Sequence, residues 1–165
     1  AQPIIGFNYG AQKYDRVKDA LKYAIGAATL VVTIGFMTTQ LFAPQMIGLF
    51  SNDSELIELG AKGLKRVLIF MPIIGFQIVS SAYFQAVGKP KQSMLLSLSR
   101  QVLLLIPMIL ILPKFMGLMG LFTAGPVADL SSSILTAIFL FYELKHLDEK
   151  KEAETLNPEA ELGKI

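Results

Sequence analysis

Two apolar arms joined by a short basic turn constrain this chain more than any other feature. The first, Val67 to Gly88, reads VLIFMPIIGFQIVSSAYFQAVG and holds no charged residue. The turn is Gly88-Lys89-Pro90-Lys91, and the second arm, SMLLSLSRQVLLLIPMILILP, ends at Pro113. A bilayer core of ~30 Å takes ~20 helical residues to cross. Each arm meets that length. Another uncharged run, Tyr23 to Asn52, is longer still. Helices buried in a soluble bundle rarely run so far without a charge, so this pattern predicts membrane-spanning helices.

Composition agrees where it bears on the question. The chain is 53% hydrophobic and 17% charged, with a mean hydropathy of +0.53. Soluble domains average about 45–50% and about 25%. Cysteine is absent, which excludes disulfides and thiolate metal sites. The one histidine, His146, stands among tail charges and reads as solvated rather than as a ligand. No Gly-rich phosphate loop, catalytic triad spacing or paired carboxylates occur within an apolar frame, so neither an enzyme nor a nucleic-acid binder is indicated. The expectation is an all-α, polytopic transmembrane helical bundle with four spans, at about 21–48, 67–87, 92–112 and 118–142. Residues 1–20 read as the end of a preceding helix and a loop, and residues 143–165 as a charged tail, a helix extension fraying into disorder. The opening Gln2-Pro3-Ile4-Ile5-Gly6 looks like a helix already under way, which suggests a piece of a longer protein.

The polar residues inside the spans are patterned. In the first span Thr29, Thr33 and Gln40 share a face, Gly26 and Gly35 permit close helix contact, and Pro44 is placed to end or kink the helix. Ser51 or Asp53 is suited to cap the next helix, with acids in its first turn. In the second span Gln77, Ser81 and Gln85 recur every four residues, with Ser80 beside them. Such a stripe must face other helices or a water-filled cavity, because an unsatisfied polar group in hydrocarbon is costly. In the third, Ser93, Ser97, Arg100 and Gln101 share a face. Arg100 either snorkels to the headgroups, the blander expectation, or pairs with a buried carboxylate or a helix C-terminus. In the fourth, Pro126, Asp129, Ser133 and Thr136 are spaced 3, 4 and 3. Asp129 is the only acid well inside an apolar span, and therefore either an ion site or a structural carboxylate, bonded for instance to Arg100. Pro72, Pro107 and Pro126 are candidate helix kinks.

With four spans, both termini fall on one side. That side, with the Lys89-Pro90-Lys91 turn, carries 11 of the 15 basic residues, against 4 on the other. The bias predicts cytoplasmic termini and a cytoplasmic turn.

The segments QPIIGFNYGA, PIIGFQIVSSAYFQAVGKPKQS, SLSRQVLLLIPMILILP and GLMGLFTAGPVADLSSS, in this order, resemble the multidrug and toxic-compound extrusion family, and within it the bacterial multidrug exporters. The resemblance covers nearly the whole chain up to Tyr142. It implies a twelve-helix transporter of two six-helix lobes, of which these spans would be the last four helices, with Gln2 to Gly10 closing the eighth. It further implies alternating access in the cell membrane. Entry of Na⁺ or H⁺ as the coupling ion would drive export of small cationic or aromatic drug-like compounds, with no other cofactor. The missing N-terminal lobe and membrane lipids would be the partners. Some family members carry a coupling acid in the tenth helix, but the corresponding span here, Val67 to Val87, has none. Asp129 matches an acid in the family's PxAD-like stretch. Gln77, Ser80, Ser81, Gln85, Arg100 and Gln101 are then candidates to line the substrate cleft, and Asp129 is the ion-coupling candidate. The seven methionines suit a promiscuous apolar surface or simply face lipid. The alternatives are a flippase for lipid-linked oligosaccharides, whose cargo calls for more cationic groups than Arg100 alone, and a small four-helix membrane scaffold.

Overall fold

The computed structural model describes residues 1–156, all helices and short turns. In order these are α1 (Gln2–Gly10), α2 (Tyr14–Gly48), α3 (Ser54–Val67), α4 (Met71–Ala86), α5 (Pro90–Leu98), a π-helical segment (Ser99–Leu105), α6 (Ile106–Met116) and α7 (Leu118–Leu156). Three helical stretches, Tyr14–Gly48, Pro90–Met116 and Leu118–Glu152, are long and apolar enough to cross a membrane. The pair α3 and α4, bent by 43° at residues 68–70, makes a fourth if taken as one span. The protein is a multi-pass membrane helical bundle.

Local sequence accounts for most of the boundaries. Asp53 caps α3, its Oδ1 accepting from the backbone N–H of Glu55 at 2.9 Å and of Leu56 at 3.4 Å. Ser51 instead accepts from the N–H of Asp53 at 3.1 Å. Glu55 in the first turn of α3 and Lys65 and Arg66 in its last suit the helix dipole at both ends. At the basic turn Gly88 has φ +75°, which a side chain would strain, and the Lys89 N–H closes the turn on the Phe84 carbonyl at 2.8 Å.

The prolines act unequally. Pro72 sits in the first turn of α4, where a missing N–H costs nothing, and the chain bends just before it. Pro107 lies two residues past the π-helical segment, in the first turn of α6; its ring excludes an ordinary bond to the Leu103 carbonyl, and the wider turn absorbs the mismatch. Pro126 lies inside α7. Pro44 lies inside α2, with the backbone of Phe42 out of helical geometry (φ −113°, ψ 17°) two residues before it.

Close helix contact also falls elsewhere than expected. A Cβ on Gly26 would meet nothing within 4 Å, and one on Gly35 only the end of Met71 at 3.7 Å. The tight approach to α2 is at Gly75, where a Cβ would lie 2.9 Å from the Thr29 nitrogen, so α4 crosses α2 backbone to backbone there.

The ends of the chain differ from expectation as well. After α1, a short turn at residues 11–13 leads straight into α2, so the basic approach to the first span is already helical. The helix extension expected after residue 143 is continuous with the last span: α7 runs to Leu156. Residues 157–165, where the rest of the expected disorder falls, lie outside the described residues. The reason is a buried seam, Pro126, Asp129, Ser133, Thr136, Leu140, Glu143 and Leu147, which continues the 3,4 spacing past the apolar span. Around Leu140 and Leu147 sit Ile5, Val17, Leu21, Tyr83, Phe84, Val87 and Leu96, the apolar core at the turn end of the bundle. Farther along, the interior is polar, and large apolar residues of α2 and α6 point outward. That distribution suits a lipid solvent.

Candidate functional site

Three elements converge on a polar interior: α4, the π-helical segment and the first half of α7. Helix α7 presents Asp129, Ser132, Ser133 and Thr136, all buried. Thr136 Oγ1 donates back to the Ser132 carbonyl at 2.9 Å. Gln77 on α4 donates its amide to the Ser132 hydroxyl, which ties the two helices through their polar faces. Ser133 Oγ has no hydrogen-bond partner among the described residues. It lies one helical turn from Asp129, on the same face.

Arg100 settles between its two expected placements. Its Nε donates to Asp129 Oδ1 at 2.7 Å. Asp129 is 6% exposed, so the arginine is turned inward to a carboxylate rather than out to the headgroups. The pair is charge-assisted and shielded from water on the acidic side. Both Arg100 and Gln101 belong to the π-helical segment, an irregularity frequent at functional sites.

Beside this pair is a cleft of about 260 Å³ between α4 and the third span. Gln77, Ser81, Ser97, Arg100 and Gln101 line it, with Ile74, Ile78 and Leu96 as apolar walls. The two polar stripes therefore meet face to face across one cavity. Ser81 bonds across it, its Oγ 2.9 Å from Ser93 Oγ and 3.3 Å from Ser97 Oγ. Ser80 and Gln85 do not line it. Ser80 is buried and donates to the Phe76 carbonyl within α4 at 2.8 Å. Gln85 is nearer the turn, where its amide donates to Ser93 Oγ at 2.9 Å. A stripe spaced every four residues drifts around a 3.6-residue helix, so its ends cannot all face one cavity.

One buried charge was assigned by sequence to the solvated tail. Glu143, on the α7 seam, accepts from Lys89 Nζ at 2.5 Å and from the Tyr83 hydroxyl at 3.5 Å. The basic turn is thus fastened to α7. Nearby, Lys151 pairs with Asp15 at 2.8 Å, and Lys18 pairs with Asp148. The missed signal was the pair Leu140 and Leu147, which keep the seam's spacing on either side of Glu143. Among the described residues no cluster of His, Cys, Asp or Glu is suited to hold a metal ion.

Residues 1–111 match the family model MatE. An FAD transporter of Shewanella oneidensis is 27% identical over 157 residues, 93% of this chain and 33% of that protein. The multidrug export protein MepA of Staphylococcus aureus is 24% identical over 143 residues, 87% of this chain and 31% of that protein. Among solved structures, the MATE multidrug transporter DinF-BH in complex with R6G is 40% identical, with a TM-score of 0.80 over 86% of this chain and 32% of that one. An inward-facing multidrug resistance MATE family transporter of the MOP superfamily shares the fold at 21% identity, with a TM-score of 0.84 over 90% of this chain and 35% of that one. The chain spans about a third of the length of these relatives.

Proposed function

The chain belongs to the MatE transporter family, and on that premise we propose that it is part of a cation-coupled exporter of small cationic or aromatic compounds, working by alternating access in the cell membrane. Its spans take the place of the last four helices of the second lobe. The positive-inside bias supports a cytoplasmic Lys89-Pro90-Lys91 turn and cytoplasmic termini.

The observation that carries this reading is the buried Arg100–Asp129 pair at the edge of a polar cleft. A carboxylate at this depth is costly unless something offsets its charge. Arg100 does so when no other cation is bound. A proton on Asp129, or Na⁺ held between its carboxylate and the partnerless Ser133 hydroxyl, competes for the same charge. The guanidinium is then released toward the cleft it already lines, where it repels a cationic substrate. Coupling ion and substrate thereby favour different states, which is the differential affinity that exchange requires.

The cleft of about 260 Å³ is smaller than the ~300–1,000 Å³ of typical small-molecule sites, so the other lobe and remaining helices supply the rest of the substrate wall. An anionic cargo, as for a flippase of lipid-linked sugars, fits less well. Among the described residues Arg100 is the only charged one lining this cleft, and Asp129 already neutralises it. Family membership also favours transport over a stand-alone scaffold. The test is dye efflux by the full-length protein in proteoliposomes under Na⁺ and H⁺ gradients imposed separately. Efflux that responds to neither gradient contradicts the reading.

A further inference from the structure

A second cavity lies on the outside of the bundle, away from the polar cleft. It is a groove of about 610 Å³ between α2 and α7. Its floor is apolar, formed by Leu21, Ile25, Leu140, Phe141 and Leu144. Its rim is basic: Lys18, Lys22 and Lys145, with one acid, Asp148. Lys18 is committed to Asp148. Lys22 and Lys145 are exposed and have no carboxylate partner among the described residues.

Sequence sets the depth of this groove. Lys22 immediately precedes the uncharged run that starts at Tyr23, and Lys145 closely follows the end of the last apolar span. Tyr23 is 75% exposed and Tyr142 68%, and exposed tyrosines at span ends mark the headgroup level of a lipid-facing surface. The two free ammonium groups therefore stand at headgroup depth, with the apolar floor running from them toward the hydrocarbon.

We infer that this groove binds an anionic phospholipid, its phosphate between Lys22 and Lys145 and one acyl chain along Leu21, Ile25, Leu140 and Phe141. A zwitterionic lipid fills the same floor but gains less at the rim, because its own ammonium group opposes the lysines. The bound lipid bridges α2 to α7 just where Lys18–Asp148 joins them. The site stands apart from the substrate reading and does not depend on it.

The test uses delipidated full-length protein in neutral detergent, titrated with phosphatidylglycerol or phosphatidylcholine and read by native mass spectrometry. Wild type is expected to prefer phosphatidylglycerol. Lys22→Gln/Lys145→Gln is expected to weaken that binding about thirty-fold, since each lysine near a lipid surface contributes about a factor of five. Lys22→Arg/Lys145→Arg, which keeps both charges, is expected to retain it, and guards against loss through misfolding. Lys62→Gln/Lys65→Gln, at the other end of the bundle, is expected to leave it unchanged. Equal affinity of wild type for the two lipids overturns the inference, as it would if another segment of the protein filled the groove. So does equal loss in the Lys62/Lys65 variant, which would mean diffuse surface charge.

Discussion

Arg100 and Asp129, 29 positions apart, meet with Nε 2.7 Å from Oδ1 at the edge of a cleft lined by both polar stripes of the hairpin. The pair joins the third span to the fourth and puts the one acid buried at that depth under the control of a cation that itself faces the cleft. Removing either member leaves a charge behind, and removing both does not.

Arg100→Gln is therefore expected to destabilise the protein by about 2 kcal/mol. This is below the ~3–5 kcal/mol of a fully buried pair, because the Arg100 side chain is 39% exposed. Arg100→Gln/Asp129→Asn is expected to recover most of the loss. Thermal unfolding of the full-length protein measures both. Simple addition of the two single losses would mean that the residues are not coupled.

Glu143 fastens the basic turn to α7 through Lys89 and Tyr83. Glu143→Ala strands a partly buried ammonium group and should lower stability by about 2–4 kcal/mol. Lys89→Met/Glu143→Leu should come closer to wild type than either single change. Unfolding midpoints within error of wild type for all of these variants would return Glu143 to a solvated tail.

Gly75→Ala places a methyl 2.9 Å from the backbone nitrogen of Thr29, and the helices must separate to admit it. Overpacking of this kind costs about 1–3 kcal/mol. Gly26→Ala meets nothing and should be neutral or slightly stabilising. Folded yield on size-exclusion chromatography ranks the two, and the reverse order would refute the close crossing of α2 and α4.

Topology is testable with little background, because this chain contains no cysteine. In a full-length protein otherwise free of cysteine, Asn52→Cys should react with a membrane-impermeant maleimide in intact cells. Lys91→Cys should react only after the cells are opened. The opposite pattern would invert the assigned orientation.

Much of this fold was legible from local chemistry. The Asp53 cap, the turn at Gly88 and the long uncharged runs each depend on residues close in sequence. Gly26 and Gly35 permit a close approach, but the partner helix decides which glycine is used, and among the described residues α4 meets α2 at Gly75. The burial of α7 past its apolar span was hidden because charge density, read alone, overrode the seam from Leu140 through Glu143 to Leu147. At the site, the stripes marked Gln77, Ser81, Arg100 and Gln101 as facing other helices or a cavity, and the fold brings these four to one cleft. Gln85 shares the spacing and Ser80 stands beside the stripe, but neither lines the cleft, and only packing distinguishes them. The Gln77–Ser132 bond and the π-helical segment ahead of Pro107 have no local signature strong enough to read in advance.

The central claim is that coupling ion and cationic substrate compete through Asp129. Its most direct test is equilibrium binding of a fluorescent cationic dye to the purified full-length protein, as pH is lowered or Na⁺ is raised at constant ionic strength. Wild type should release the dye with at least one of these cations, and Asp129→Asn should hold or lose it independently of both. An identical cation dependence in wild type and Asp129→Asn would contradict the role given to this residue.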